Sequence, residues 1–257
     1  MKIQLITVLL LSVLVVACKP EETKKKAGVP GAENAEKTSE QVVSGQISAW
    51  ETLSEQERIP GVSSFQKSNS WEERLGLMSA DSQRYLREMN EKYYGSLEFS
   101  SMEEQELLIR QGFPSVEEWL FARDMPETKL EVAAEAGNWK AQLLYADRLA
   151  SRFNAEQISN STGFDQEQMK LKLDAVKYAS LALRGAKNPF SAYLYGGVAE
   201  KTSGNPEMAA AAMLLARELG DTRADQLSLA VAKRRPGMNP ATIQLAFGSM
   251  RDIVALK

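Results

Sequence analysis

The stretch NPFSAYLYGGVAEKTSGNPEMAAAAMLLARELGDTRADQLSLAVAKRRPGMNP, residues 188–240, carries four helix starts at near-regular spacing. Asn188-Pro189, Asn205-Pro206 and Asn239-Pro240 each set a good capping side chain before a proline, whose missing N–H is harmless at the first helical position. Gly220-Asp221 supplies the fourth start, because glycine ends one helix and aspartate caps the next. The starts at 188, 205, 221 and 239 lie 17, 16 and 18 residues apart. Such intervals describe helices of about 14 residues, roughly 21 Å long, joined by tight turns. The apolar positions agree: Met208, Ala212, Leu215 and Leu219 step by 4, 3 and 4, as do Ile243, Phe247, Met250 and Val254. A helix pair about every 34 residues predicts an all-α stack of helix pairs.

Upstream the start signals are of a different kind. Ser101-Met102-Glu103-Glu104 and Ser115-Val116-Glu117-Glu118 both fit the Ser-x-x-Glu capping box, with Gly112-Phe113-Pro114 separating the two helices. In the second, Val116, Trp119, Leu120 and Arg123 share one side, which predicts Trp119 and Leu120 in the core and Glu117 and Glu118 facing water. Ser70 to Met78 and Asp81 to Tyr94 also read as helices, and residues 46–68 as partly irregular.

Residues 133–146, AAEAGNWKAQLLYA, resemble the junction between first and second helices in the Sel-one-like branch of tetratricopeptide-type repeats, where the pattern is Ala-Ala-x-x-Gly-Asn-x-x-Ala-Gln. Gly220-Asp221-x-x-Ala224-Asp225 repeats the spacing, and Ala182-Leu183-Arg184-Gly185 with Tyr193 and Gly196 forms a looser copy. The likeness covers about residues 127–235; the Gly-x-Gly loop between repeats is missing, and residues 153–165 insert a polar stretch. The resemblance implies a helix-pair α-solenoid over 127–257 that binds a protein partner. Trp139, Tyr145, Tyr178, Tyr193 and Tyr195, with Phe190, are the candidate anchors of a groove, and Arg148, Arg184 and Lys187 its candidate polar rim. At helical spacing the same aromatic residues also read as repeat core.

The amino terminus reads MKIQLITVLLLSVLVVAC, a single cation at Lys2 followed by 15 residues, Ile3 to Ala17, broken only by Gln4, Thr7 and Ser12. A spanning helix needs about 20 apolar residues, whereas the core of a secretory signal needs about 7–15. Val15, Val16 and Ala17 before Cys18 resemble the lipobox of bacterial lipoproteins, and Cys18 is the only cysteine in the chain. By that resemblance residues 1–17 are removed and Cys18 carries the lipid; several acyl chains make such anchoring stable. Lys19, where aspartate would signal inner-membrane retention in this family, implies the outer membrane and a periplasm-facing protein. Residues 18–45 hold no aromatic residue and are rich in Lys, Glu, Pro, Gly and Ser, which predicts a disordered tether spanning about 30 Å. The expected organisation is thus signal peptide 1–17, lipidated linker 18–45, N-terminal helical region 46–126 and repeat domain 127–257.

With 257 residues, 31 Lys+Arg against 34 Asp+Glu and no histidine, the composition excludes more chemistry than it suggests. The commonest general base and transition-metal ligand is absent, and so are Ser/His and Cys/His nucleophile pairs. No nucleotide-binding glycine loop, zinc motif or calcium loop occurs. No cofactor, metal or nucleic acid is expected, the last because such binding draws on clustered cations. Arg234-Arg235 ends a helix before Pro236 and reads as a partner of the helix dipole. What chemistry remains is paired carboxylates, as in glycan hydrolases, with Glu51, Glu55, Glu72, Glu103, Glu117, Asp147, Asp165 and Asp174 as candidates among many solvated acids. The reading the sequence favours is a non-enzymatic, tethered protein-binding module, of which a toxin-blocking immunity or inhibitor lipoprotein is one version. An envelope-machinery assembly factor and a carboxylate-pair glycan hydrolase are the alternatives.

Overall fold

Short-range capping chemistry sets the helix starts. The computed structural model describes residues 67–155 and 165–255; Val15, Val16, Ala17, Cys18, the tether and residues 46–66 lie outside them, as does most of the insert at 153–165. Among the described residues the fold is all-α, with eleven helices and no strand. Helices α1 Trp71–Gly76, α2 Ala80–Lys92, α3 Met102–Arg110 and α4 Val116–Asp124 come first. They are followed by α5 Glu127–Glu135, α6 Trp139–Arg152, α7 Gln166–Ala186, α8 Pro189–Ser203, α9 Glu207–Glu218, α10 Ala224–Arg234 and α11 Pro240–Ala255.

Asn188 caps α8 directly ahead of Pro189. Asn205 and Asn239 each accept the N–H two residues on, from Glu207 and Ala241, at 2.9 Å, and Asp221 does the same for Arg223 at 2.9 Å. The four starts at 188, 205, 221 and 239 therefore open α8 to α11. Ser115 and Glu118 close a full capping box at 3.2 and 2.9 Å. At Ser101 only the hydroxyl half forms; the Glu104 carboxylate accepts instead from the N–H and hydroxyl of Ser100, at 2.7 and 2.6 Å. Trp119 is buried and Leu120 half-buried, as their side of α4 predicts. Glu117 departs from expectation. Rather than facing water it is buried in an ion pair with Arg74 of α1, the two side chains 11% and 5% exposed, because α1 brings Arg74 onto the side of α4 that its own sequence leaves to solvent.

From α5 to α9 each helix packs on the one before it, α6 also touches α8, and α10 and α11 both lie on α9. Small residues allow the closest of these approaches. A Cβ on Gly196 of α8 would overlap that of Ala212 of α9 and stand 3.1 Å from the Met208 carbonyl oxygen. Helices α1 to α4 do not form a separate layer with its own core; a single buried cluster runs from Trp71 to Met250. Its aromatic centre is Tyr93 of the α2 terminus, stacked on Trp119 at 5.9 Å and edge-on to Phe190 of α8 at 5.5 Å, with Phe113 5.1 Å from Phe190. Polar staples reinforce it. Buried Asp221 accepts from the Tyr193 hydroxyl at 3.0 Å and from Arg223, and Arg223 donates onward to the carbonyls of Ser96 and Glu98 at 3.0 and 2.9 Å. Gln111 donates to the Gly220 carbonyl at 3.0 Å.

This core makes the protein sensitive to base. Burial is the leading cause that pushes the phenols of Tyr85, Tyr93, Tyr94, Tyr145, Tyr193 and Tyr195 above the usual tyrosine range, with Asp147 adding to Tyr93 and Asp221 to Tyr193. An unfolded chain ionises its phenols near pH 10, while the native one holds them protonated, so the unfolded state gains as pH rises. The stabilisation is complete below about pH 10 and is lost above it. In an alkaline titration, phenolate absorbance from these residues is expected to appear in one cooperative step together with loss of helical circular dichroism. Gradual ionisation with the helical signal intact would show that burial does not control them.

Candidate binding cleft

The carboxyl-terminal ends of α2, α6, α8 and α10 converge on a cleft of about 900 Å³. The convergence follows from how α2 stops. Tyr94 and Gly95 are both left-handed, at φ 64° and 81°, and this turn carries Tyr94 against α8, where its hydroxyl donates to Glu200 Oε2 at 3.2 Å. A non-glycine residue in that region carries strain of order 1–3 kcal/mol, and the packing around Tyr94 must hold it. Gly197 of α8 leaves room for the neighbouring Tyr93 ring, which a Cβ there would approach to 3.2 Å. One residue earlier, Lys92 reaches α6, donating to Asp147 Oδ1 at 2.5 Å and Ser151 Oγ at 2.8 Å, while the Tyr93 hydroxyl donates to the same carboxylate. The end of α10 is fixed by an ion pair of Arg235 with Glu200.

The floor is apolar and partly small: Met89, Ala150, Gly197 and Val231 are buried there. Four exposed charges stand around it. Glu88 and Glu91 lie on α2, and Lys201 and Arg234 on the facing ends of α8 and α10. None of the four is ion-paired among the described residues, whereas Lys92 and Arg235 are neutralised by Asp147 and Glu200. The cleft is therefore acid along one wall and basic along the other.

Lys92 and Ser151 lie as a nucleophile and its base would, but the surroundings argue against that chemistry. Lys92 is taken up by its ion pair with the Asp147 carboxylate, which lies between it and any reacting group. Four helix carboxyl ends direct carbonyl oxygens and negative dipole toward the space, the opposite of the N–H donors that stabilise an oxyanion. The candidate carboxylates are engaged singly. Glu72 pairs with Arg87, which holds its carboxyl below the usual range; Glu117 pairs with Arg74, Asp174 with Lys170, and Asp165 caps α7. Glu103 is in the first turn of α3, its carboxyl lowered by backbone N–H donation. Glu51 and Glu55 are outside the described residues. Among the described residues no three acidic side chains gather as a metal would require, and no helix is long and apolar enough to cross a membrane.

The aromatic anchors expected from the sequence are placed mostly inside. Tyr145, Tyr178 and Tyr193 are buried, the first two edge-on at 4.9 Å; Trp139 and Tyr195 are half-buried. Tyr145, Tyr178 and Tyr193 thus occupy the core positions that their spacing also allowed. Arg148 donates to the Met125 carbonyl at 2.8 Å and to that of Ala122, tying α6 to the end of α4, and Arg184 is exposed at the end of α7. The face of α8 that carries Tyr193 is covered by Tyr94 and Phe113. Glu88, Glu91, Lys201 and Arg234 were not singled out as binding residues by the sequence, because residues up to 146 positions apart meet only after folding. No protein-family model, curated protein or solved structure matches the chain.

Proposed function

We propose that the chain is a lipid-anchored, periplasm-facing binding module built on tetratricopeptide-like helix pairs, and that it works by docking a protein partner rather than by catalysis. The observation that carries the docking reading is an open cleft whose rim charges are unpaired although nearly every deeper charge is neutralised. The successive packing of α5 to α9 supports the repeat reading. The anchor rests on Cys18, the sole cysteine, at the end of the sole signal-like segment. Arg223 and Tyr93 tie the earlier helices to the later ones, and cross-links of that kind lower the ordering cost of binding.

Cys18→Ser is expected to abolish incorporation of labelled fatty acid and to leave the signal peptide uncleaved, read by intact mass. Continued labelling of that variant would refute the anchor. For the binding role, the full chain in detergent is expected to retain one specific envelope protein at stoichiometric yield. Hydrolysis of purified peptidoglycan by the same preparation, lost on a single carboxylate-to-amide change, would overturn it in favour of an enzyme.

A further inference from the structure

We infer that the cleft between the ends of α2, α6, α8 and α10 takes a short extended segment of the partner carrying one basic and one acidic side chain, the basic one toward Glu88 and Glu91 and the acidic one toward Lys201 and Arg234. This inference deepens the docking reading and rests on it. The polarity is set by which charges are already satisfied. On the α2 and α6 side Lys92 is spent on Asp147, so Glu88 and Glu91 add to the negative ends of two helices without compensation. On the α8 and α10 side Glu200 is spent on Arg235 and on the Tyr94 hydroxyl, so Lys201 and Arg234 remain as cations without a carboxylate partner, opposed only by the partial negative charge at the ends of their own helices. A ligand of one sign would meet repulsion at one wall, whereas a dipolar segment satisfies both. The volume of about 900 Å³ is at the upper end of the usual range for ligand pockets. Ala150 and Gly197 leave the floor low enough for backbone to approach, and Met89 and Val231 offer apolar contact to the residues between the two charges. All four rim residues are exposed, so changing them leaves the core untouched.

The test uses the full chain in detergent and the capped peptide acetyl-Lys-Ala-Ala-Glu-amide, with acetyl-Gln-Ala-Ala-Gln-amide and acetyl-Glu-Ala-Ala-Glu-amide as comparisons, titrated by calorimetry. The dipolar peptide is expected to bind at least tenfold more tightly than either comparison, and to weaken as salt screens the exposed charges. Reversing one wall, Glu88→Lys with Glu91→Lys, is expected to reduce its affinity at least tenfold and to make the diacidic peptide the preferred ligand. Reversing the second wall as well, Lys201→Glu with Arg234→Glu, is expected to restore dipolar binding with the segment turned end for end. Equal affinity for the neutral and dipolar peptides, or indifference to reversal of one wall, overturns the inference. If the peptides fail while the chain still retains its envelope protein, and wall reversal does not disturb that retention, the cleft assignment falls and the docking reading stands.

Discussion

Alanine at Glu117 is expected to lower the unfolding free energy by about 3–5 kcal/mol, the usual consequence of removing one member of a buried ion pair. The Arg74 guanidinium is 5% exposed and would lose its carboxylate in a site that water does not reach. The loss should appear in urea melts followed by circular dichroism as a lower midpoint with an unchanged slope. The companion double variant, Arg74→Met with Glu117→Leu, is expected to recover most of the loss, since an apolar pair of similar volume needs no desolvation. A loss below about 1 kcal/mol for Glu117→Ala would place the pair in water and contradict the packing of α1 on α4.

Gly196→Ala is expected to destabilise by about 2–3 kcal/mol, against the gain of about 1 kcal/mol that alanine brings to an exposed helical site. The added methyl has no room, because it would overlap the Ala212 Cβ and press on the Met208 carbonyl oxygen, and both belong to α9. Backbone cannot move aside as a long side chain can. Adding Ala212→Gly to Gly196→Ala moves the methyl from one helix to the other and is expected to restore stability to within about 1 kcal/mol, the coupling expected of residues in direct contact. Additive losses in that double variant would mean that α8 and α9 do not meet at this point.

These two sites also mark the limit of what the sequence discloses. The caps at Asn188, Asn205, Asp221 and Asn239 were legible because each acts on an N–H within three residues of itself. Capping boxes were legible only to that range: Glu118 closes on its own cap, whereas Glu104 reaches back one residue further to Ser100. Ser70-Trp71-Glu72-Glu73 has the same form and starts α1, with Ser70 accepting the Glu73 N–H at 3.1 Å and Glu73 accepting from Asn69 at 2.8 Å. Glu117 could not be placed from α4 alone, since what removes it from water is Arg74, 43 residues earlier. The aromatic residues were recognisable as important but not as core or surface, because helical spacing fixes which residues share a stripe and not what covers it. Tyr193 is covered by Tyr94 and Phe113, which come from the segments that end α2 and precede α4, far from α8 in the sequence. The cleft is a further step from the sequence: it lies where a left-handed tyrosine ends α2 and where α8 presents Gly197 to the Tyr93 ring.

Site-specific photocrosslinking in cells tests the proposed docking most directly. A crosslinking residue is placed at Glu91 or Lys201 on the cleft rim, and for comparison at Val132 or Leu173, which are 65% and 61% exposed on α5 and α7. One discrete protein adduct from both rim positions and none from the comparison pair is the predicted outcome. Adducts of equal yield from all four positions, or from Val132 and Leu173 alone, would contradict it.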